Sequence, residues 1–414
     1  MLSRWAGSGV LAWMLGGFCL PLSANTTVNL LSPVADAAHA PYRQPAPLQI
    51  AQTDLSIPRD PPPLPAPKPL QIALFLPISS DIFRQAADAV RAGMQAAHEH
   101  EPDGVAIQLV DSGDVAQEVV ERYRIVAGQA DLVVGPLSRS AVAALAQSGN
   151  ISRPTIALTA PDTQPEASAP LPSRMLVMGL AIEDEARQIA DWAGRDNAGK
   201  KAVLLHAGAS WQRRAVKAFE VQWLKQQKQQ KQQSELQTVE LASSDGFVNG
   251  RTLLQLKKEL ADVPAFIFAA LDAQQARQVR AVMGPQMPLY GTSQLNPVPF
   301  SGRDTAERMS DMDGIRLLDI PWQIDPEHPA VAIYARPTAA ADLPRTADME
   351  RLYALGIDAY RVAREVAAQQ SEFELDGVTG RLTVQVSSQQ ARLQRSAERA
   401  VYRSGSVVPL EAQR

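Results

Sequence analysis

The chain has 414 residues, 45% of them hydrophobic and 20% charged, which is enough apolar material for more than one sizeable core. A net charge of -4 argues against a general nucleic-acid binder, which needs surplus cations to neutralise phosphates. The single cysteine, Cys19, excludes an intrachain disulfide and a cysteine metal cluster.

Arg4 followed by the apolar run Val10 to Leu22 reads as a signal peptide, with small Ser23 and Ala24 before a cut after Ala24. The run is short and Gly-rich for a membrane span. Cys19 lies within it and is a possible lipid-attachment residue, although the Phe18 before it is large for a lipoprotein cleavage site. Prolines at 41, 45, 47, 58, 61, 62, 63, 65 and 67 then break every helix or strand period. Residues 25–68 therefore read as a Pro-rich linker, either a semi-rigid tether or a stretch without structure of its own.

From Leu70 the pattern becomes periodic. Gln71 to Pro77 is apolar without polar alternation, as in a strand buried on both faces. Ile82 to His100 has helical spacing. Val105 to Val110 reads as a strand and Val115 to Gly128 as a helix; Asp131 to Val134 and Arg139 to Gln147 repeat the pair. Strands are expected at Pro154 to Leu158 and Met175 to Gly179. A second series alternates helix Glu183 to Arg195, strand Ala202 to Leu205, helix Trp211 to Lys228 and strand Leu236 to Leu241. It continues with helix Gly250 to Leu260, strand Ala265 to Ala269, helix Ala273 to Met283 and strand Leu289 to Tyr290. Such alternation predicts an α/β architecture of parallel sheets flanked by helices. Beyond it, Gly314 to Trp322 reads as a strand running into proline, Asp348 to Gln370 as a long amphipathic helix, and Phe373 to Val386 as a hairpin.

Motifs for chemistry are scarce. No GxGxxG opens a helix after the first strand, and neither GxxxxGK[ST] nor GxSxG occurs, which disfavours nucleotide binding and hydrolase chemistry. The histidines show no HExxH-like spacing for a metal. The expectation is a protein that is not an enzyme and carries no cofactor or metal. The strand ends hold more. Ligands of open α/β sheets bind outside the carboxyl ends of the strands. Those ends carry Ser79, Ser80, Ser138, Ser140 and Thr159 in the first series, and Trp211, Asp272 and Thr292 in the second. These eight are the ligand-cleft candidates, suited to an anion such as a carboxylate. The hydroxyls equally suit helix N-caps.

Several blocks resemble a known family. Ile72 to Ser79, Val133 to Leu137 and Pro154 to Leu158 resemble type I periplasmic binding proteins. Gly179 to Ala186, Leu289 to Ser293, Asp313 to Arg316 with Asp319 to Trp322, Tyr353 to Arg361 and Leu375 to Gly380 then resemble, in this order, the LppC/LpoA family of penicillin-binding-protein activators. The resemblance implies a two-lobed domain over residues 69–414, with lobe 1 at about 69–180 and 293–414 and lobe 2 at about 181–292. It also implies a periplasmic place, usually at the outer membrane, and a peptidoglycan synthase of the penicillin-binding type as partner. It carries no catalytic residues. Two features depart from the family. Only the Pro-rich stretch stands where its best-studied members have a helical-repeat domain, and Phe18 precedes Cys19. The alternative expectation is a solute-binding protein for an amino acid or small peptide-like ligand.

Overall fold

The computed structural model describes residues 68–161, 170–230, 234–244, 246–303, 306–337 and 346–410. The expected signal peptide, Cys19 and the Pro-rich linker as far as residue 67 lie outside them.

The first sheet takes β1 (Leu70–Leu76), β2 (Val105–Asp111), β3 (Leu132–Val134), β4 (Thr155–Ala157) and β5 (Met175–Val177). All pair in parallel, in the order β2-β1-β3-β4-β5. The crossovers are α1 (Arg84–His100), α2 (Ala116–Gln129) and α3 (Arg139–Gln147). Strand β1 explains why its sequence does not alternate. Ile72, Leu74 and Leu76 pack into one core cluster, and Ala73 and Phe75 into the one on the opposite face.

The second series runs α4 (Ile182–Asp196), β6 (Lys201–His206), α5 (Ser210–Gln230), β7 (Leu236–Glu240), a small hairpin β8 (Ser243–Ser244) and β9 (Phe247–Val248), and α6 (Gly250–Glu259). It continues with β10 (Ala265–Ala270), α7 (Ala273–Met283), β11 (Leu289–Gly291) and β12 (Arg316–Asp319). The chain then passes through α8 (Pro321–Ile324), α9 (Pro329–Ala332) and α10 (Ala347–Ala367). The antiparallel strands β13 (Glu372–Gly377), β14 (Gly380–Val386) and β15 (Ala391–Ser396) follow, and β16 (Glu398–Arg403) and β17 (Ser406–Pro409) end the described chain. The second sheet has seven strands, ordered β17-β16-β12-β11-β10-β6-β7.

This order corrects the expected lobe limits. Residues 293–414 do not all return to lobe 1, because β12 pairs in parallel with β11, and β16 and β17 extend that sheet antiparallel. Lobe 1 receives α8 to β15 only, and the chain crosses between lobes near Leu180, at Ile320 and at Ala397. The strand expected to reach Trp322 stops at Asp319, since Pro321 opens a helix as its first residue.

Helix α10 lies directly on α1, and two glycines permit it. A Cβ on Gly93 would sit 1.8 Å from the Tyr353 carbonyl oxygen, and one on Gly356 would sit 2.1 Å from that of Val90. Each helix thus presents backbone where the other comes closest. The Tyr353 to Arg361 and Leu375 to Gly380 blocks also meet. Fully buried Asp358 accepts hydrogen bonds from the Val378 and Thr379 N–H groups (3.1 and 2.8 Å) and from the Thr379 hydroxyl (2.6 Å). Burial pushes its carboxyl up, against these bonds. Asp358 therefore sets the turn between β13 and β14.

Candidate ligand crevice and lobe junction

Two pockets lie along the crevice between the lobes and meet at Gln294. The smaller, about 200 Å³, is walled by Arg139 and Thr159 of lobe 1, Ile182 and Glu183 at the first crossing, and Trp211 and Arg214 of α5. The larger, about 540 Å³, is walled by Asp272, Gln274 and Arg277 at the start of α7 and by Thr346, Asp348 and Arg351 at the start of α10.

Their charges differ. In the smaller pocket Glu183 accepts from Arg214 Nε at 2.7 Å and lies 3.9 Å from Arg139 Nη2. Arg139 Nη2 also donates to the Pro161 carbonyl at 3.3 Å. Two guanidinium groups, one from each lobe, thus flank one carboxylate. In the larger pocket both cations already hold acids: Arg277 pairs with Asp311 at 2.6 Å outside the wall, and Arg351 with Asp319 outside it and with Asp348 in it.

Arg351 ties the lobes together. From α10 in lobe 1 it grips Asp319 at the end of β12 with two bonds, Nε to Oδ1 at 3.0 Å and Nη2 to Oδ2 at 2.8 Å. Nη2 also donates to the carbonyls of Ser293 and Asn296, at 3.0 and 2.9 Å, and Nη1 donates to Asp348 at 2.9 Å. Asp319 further accepts from Asn296 Nδ2 at 2.8 Å. Burial opposes the Arg351 charge, but Asp319 outweighs it and holds the guanidinium above its ordinary value. Beside it, Glu185 of α4 accepts from the N–H and hydroxyl of Ser293, at 2.7 and 3.0 Å. Burial pushes the Glu185 carboxyl up to about 7. At the third crossing, Arg395 on β15 donates to the carbonyls of Gly179 (2.6 Å) and Met178 (2.8 Å), so the last crossing is fastened to the first.

The eight candidate residues separate. Thr159 and Trp211 wall the smaller pocket, and Asp272 walls the larger. Asp272 also caps α7 through Oδ1 in a capping box with Gln275. The other five wall neither pocket. Ser138 caps α3 by accepting from the Ala141 N–H at 3.2 Å, and Ser140 lies 3.5 Å from it on the exposed side. Ser80 accepts from the Phe83 N–H at 3.3 Å. Ser79 donates to Asp111 at 2.9 Å. Burial raises Asp111, yet bonds from Ser79, Gly113 and Arg122 outweigh it and leave the carboxyl below its usual range. Thr292 is fully buried, and its hydroxyl has no partner among the described residues.

Sequence reasoning missed Arg139, Glu183, Arg214, Gln294 and Arg351 as wall residues. Arg139 directly follows a candidate serine and Glu183 stands inside a block that carried the resemblance, so both were within reach. Arg214 and Arg351 read as ordinary polar positions of amphipathic helices and gave no signal.

Known proteins share this architecture. The family described as "LppC putative lipoprotein" matches residues 64–405. A solved structure described as that of a "putative branched-chain amino acid ABC transporter" from Chromobacterium violaceum is 32% identical, with 80% of this chain and 99% of that chain covered and a TM-score of 0.63. The C-domain of LpoA from Haemophilus influenzae, described as a regulator of PBP1A, is 19% identical over 82% of this chain and 100% of that chain, with a TM-score of 0.63. Full-length LpoA from the same organism is 19% identical over 83% of this chain, with a TM-score of 0.63, and the chain spans 59% of its length. The LpoA likenesses show a shared fold. No curated protein matches this chain in sequence.

Proposed function

The chain belongs to the LppC family, and from that premise we propose that it is a non-catalytic periplasmic regulator that binds a bifunctional penicillin-binding protein and raises its peptidoglycan synthase activity. A cut before Cys19 with a lipid on its sulfur, the alternative to a cut after Ala24, would attach it to the outer membrane, and mass spectrometry of the mature N-terminus distinguishes the two. The observation that carries it is the extent of the match. The family covers almost all of the described residues, and the fold accounts for the whole C-domain of a protein described as a PBP1A regulator. The lobe junction supports the same reading. A crossing fastened by Arg351, Asp319 and Arg395 holds both lobes in one arrangement and so presents a fixed surface to a partner.

The test mixes the purified chain with each bifunctional synthase of its source cell and measures glycan polymerisation and cross-linking. Binding with a several-fold rise in rate is expected. Neither binding nor a rate change with any of them overturns the proposal.

A second reading, a solute-binding protein for an amino acid or small peptide-like ligand, is favoured by the crevice at Gln294 and by the likeness to the Chromobacterium violaceum protein. Calorimetry against free amino acids and short peptides tests it.

A further inference from the structure

We propose that residues 48–52, in the proline-rich stretch that precedes the domain, pair antiparallel with the outer edge of β2 and complete the first sheet as a sixth strand.

That edge is open. β2 is the last strand on its side of the sheet, and its register with β1 runs unbroken from Leu70↔Val105 to Leu76↔Asp111. The Leu70 N–H donates to the Gly104 carbonyl and the Ser112 N–H to the Leu76 carbonyl, both at 2.8 Å. Alternate residues of a parallel ladder face the same neighbour, so Ala106, Gln108 and Val110 turn their backbone groups to β1. The odd-numbered residues point away. Two of them are answered locally. The Val105 N–H donates to the Pro102 carbonyl at 3.3 Å, and the Asp111 carbonyl accepts from Arg122 at 3.2 Å. The backbone groups of Ile107 and Leu109 have no partner among the described residues. Natural sheets blunt such edges with lysine, proline or a bulge, and Val105–Asp111 has none of these. Leu109 is 37% exposed, and Ile107 packs only in part against the core that includes α1.

The chain holds a matching occupant. Residues 45–51 read Pro-Ala-Pro-Leu-Gln-Ile-Ala, and residues 67–73, which lead into β1, read Pro-Lys-Pro-Leu-Gln-Ile-Ala. The sequence that pairs with β2 on one side thus recurs ahead of the domain. No proline stands between Pro47 and Pro58, so every N–H of the stretch can donate. The two copies diverge where their places in a sheet would differ. β1 continues with Leu74, Phe75 and Leu76, as a strand covered on both faces must. The earlier copy continues with Gln52, Thr53 and Asp54, which leaves Leu48 and Ile50 on one face and polar or small residues on the other. That pattern suits an edge strand with one face to water.

The register follows. With Ile50 opposite Ile107 and Leu48 opposite Leu109, each pair exchanges two backbone hydrogen bonds, and the two apolar side chains cover Ile107 and Leu109. Gln52 then falls beside Val105, level with Leu70. From there the chain crosses two strand spacings, roughly 10 Å, to enter β1, and residues 53–69 can span about 50 Å. Antiparallel edge strands are common on otherwise parallel sheets. So short a connection keeps the segment near the edge at an effective concentration on the order of millimolar, which favours it over a second copy. Seated there, it fixes the chain at residue 48. The length left to span a gap shrinks from residues 25–67 to residues 25–47, about half the reach.

The experiment is amide hydrogen exchange on the full chain, read residue by residue. The Ile107 and Leu109 amides should exchange at least about tenfold more slowly in the native chain than in Ile50→Pro, which lacks the donor and does not fit the ladder. Ala106 and Gln108, bonded to β1, should exchange alike in both. Ser56→Pro lies outside the pairing and should leave all four amides as in the native chain. Circular dichroism checks that both variants keep the fold, and sedimentation velocity gives the oligomeric state.

Equal exchange of Ile107 and Leu109 in the native and Ile50→Pro chains overturns the proposal. An equal loss of protection in Ser56→Pro overturns it, because the effect would not depend on the paired residues. Protection that fades on dilution together with a dimer assigns the edge to a second copy and overturns it too.

Discussion

Replacing Arg351 with methionine isolates the fastening between α10 and β12. The Asp319 side chain is fully buried, and Arg351 supplies two of its hydrogen bonds. In Arg351→Met the carboxylate keeps only Asn296 Nδ2 and the Ile320 N–H. The carbonyls of Ser293 and Asn296 also lose a donor. Breaking one side of a buried ion pair costs about 3–5 kcal/mol, most of it the penalty of the stranded charge. An unpaired buried carbonyl costs about 1–3 kcal/mol, and such terms are not additive. The expected loss is therefore about 4 kcal/mol of unfolding free energy. Urea unfolding, followed by tryptophan fluorescence and circular dichroism together, measures it. The companion variant is Arg351→Met with Asp319→Asn. Neutralising the stranded charge should recover about 1–2 kcal/mol, although Asp319→Asn alone destabilises. A loss below about 1 kcal/mol for Arg351→Met, or further loss in the double variant, would refute the reasoning that a buried charge pair fastens the lobes.

Glu185 makes stability depend on pH. Its folded carboxyl titrates at about 7 and its ordinary value is 4.5, so the folded state holds the proton more tightly. The stability linked to that proton is fully present below the ordinary value and is lost as pH rises through about 7. The loss is up to about 3 kcal/mol. Glu185→Gln should remove this slope, as the difference between the two unfolding curves from about pH 4 to about pH 8 will show. Gly356→Ala places a methyl group against the Val90 carbonyl and should cost about 3 kcal/mol in the same urea assay, with α1 and α10 forced apart. Ser138→Ala removes the N-cap of α3 and should cost about 1 kcal/mol in the same urea assay.

Local periodicity and the family blocks made much of this protein legible in its sequence. The apolar run of β1 revealed a strand covered on both faces, because burial on both sides removes polar alternation. The alternating helices and strands revealed two α/β series, and Asp376-Gly377 with Thr379-Gly380 marked the turn that Asp358 sets. Thr159, Trp211 and Asp272 were reachable because crevices of such sheets open at strand ends.

What the sequence did not reveal was partnership between distant positions. The segments of β12, β16 and β17 show only that they can pair, and the free edge beside β11, which drew them into the second sheet, exists only once that sheet is folded. Arg351 and Asp319 meet across 32 positions, and Glu183 and Arg214 across 31. Each of the four reads locally as a common charged residue. Burial makes Arg351 a fastening, because an ion pair excluded from water is costly to break, and the closeness of two lobes places Glu183 between two guanidinium groups. A pattern along the chain records which faces are apolar, whereas the charges that meet in the interior are decided by how the lobes come together.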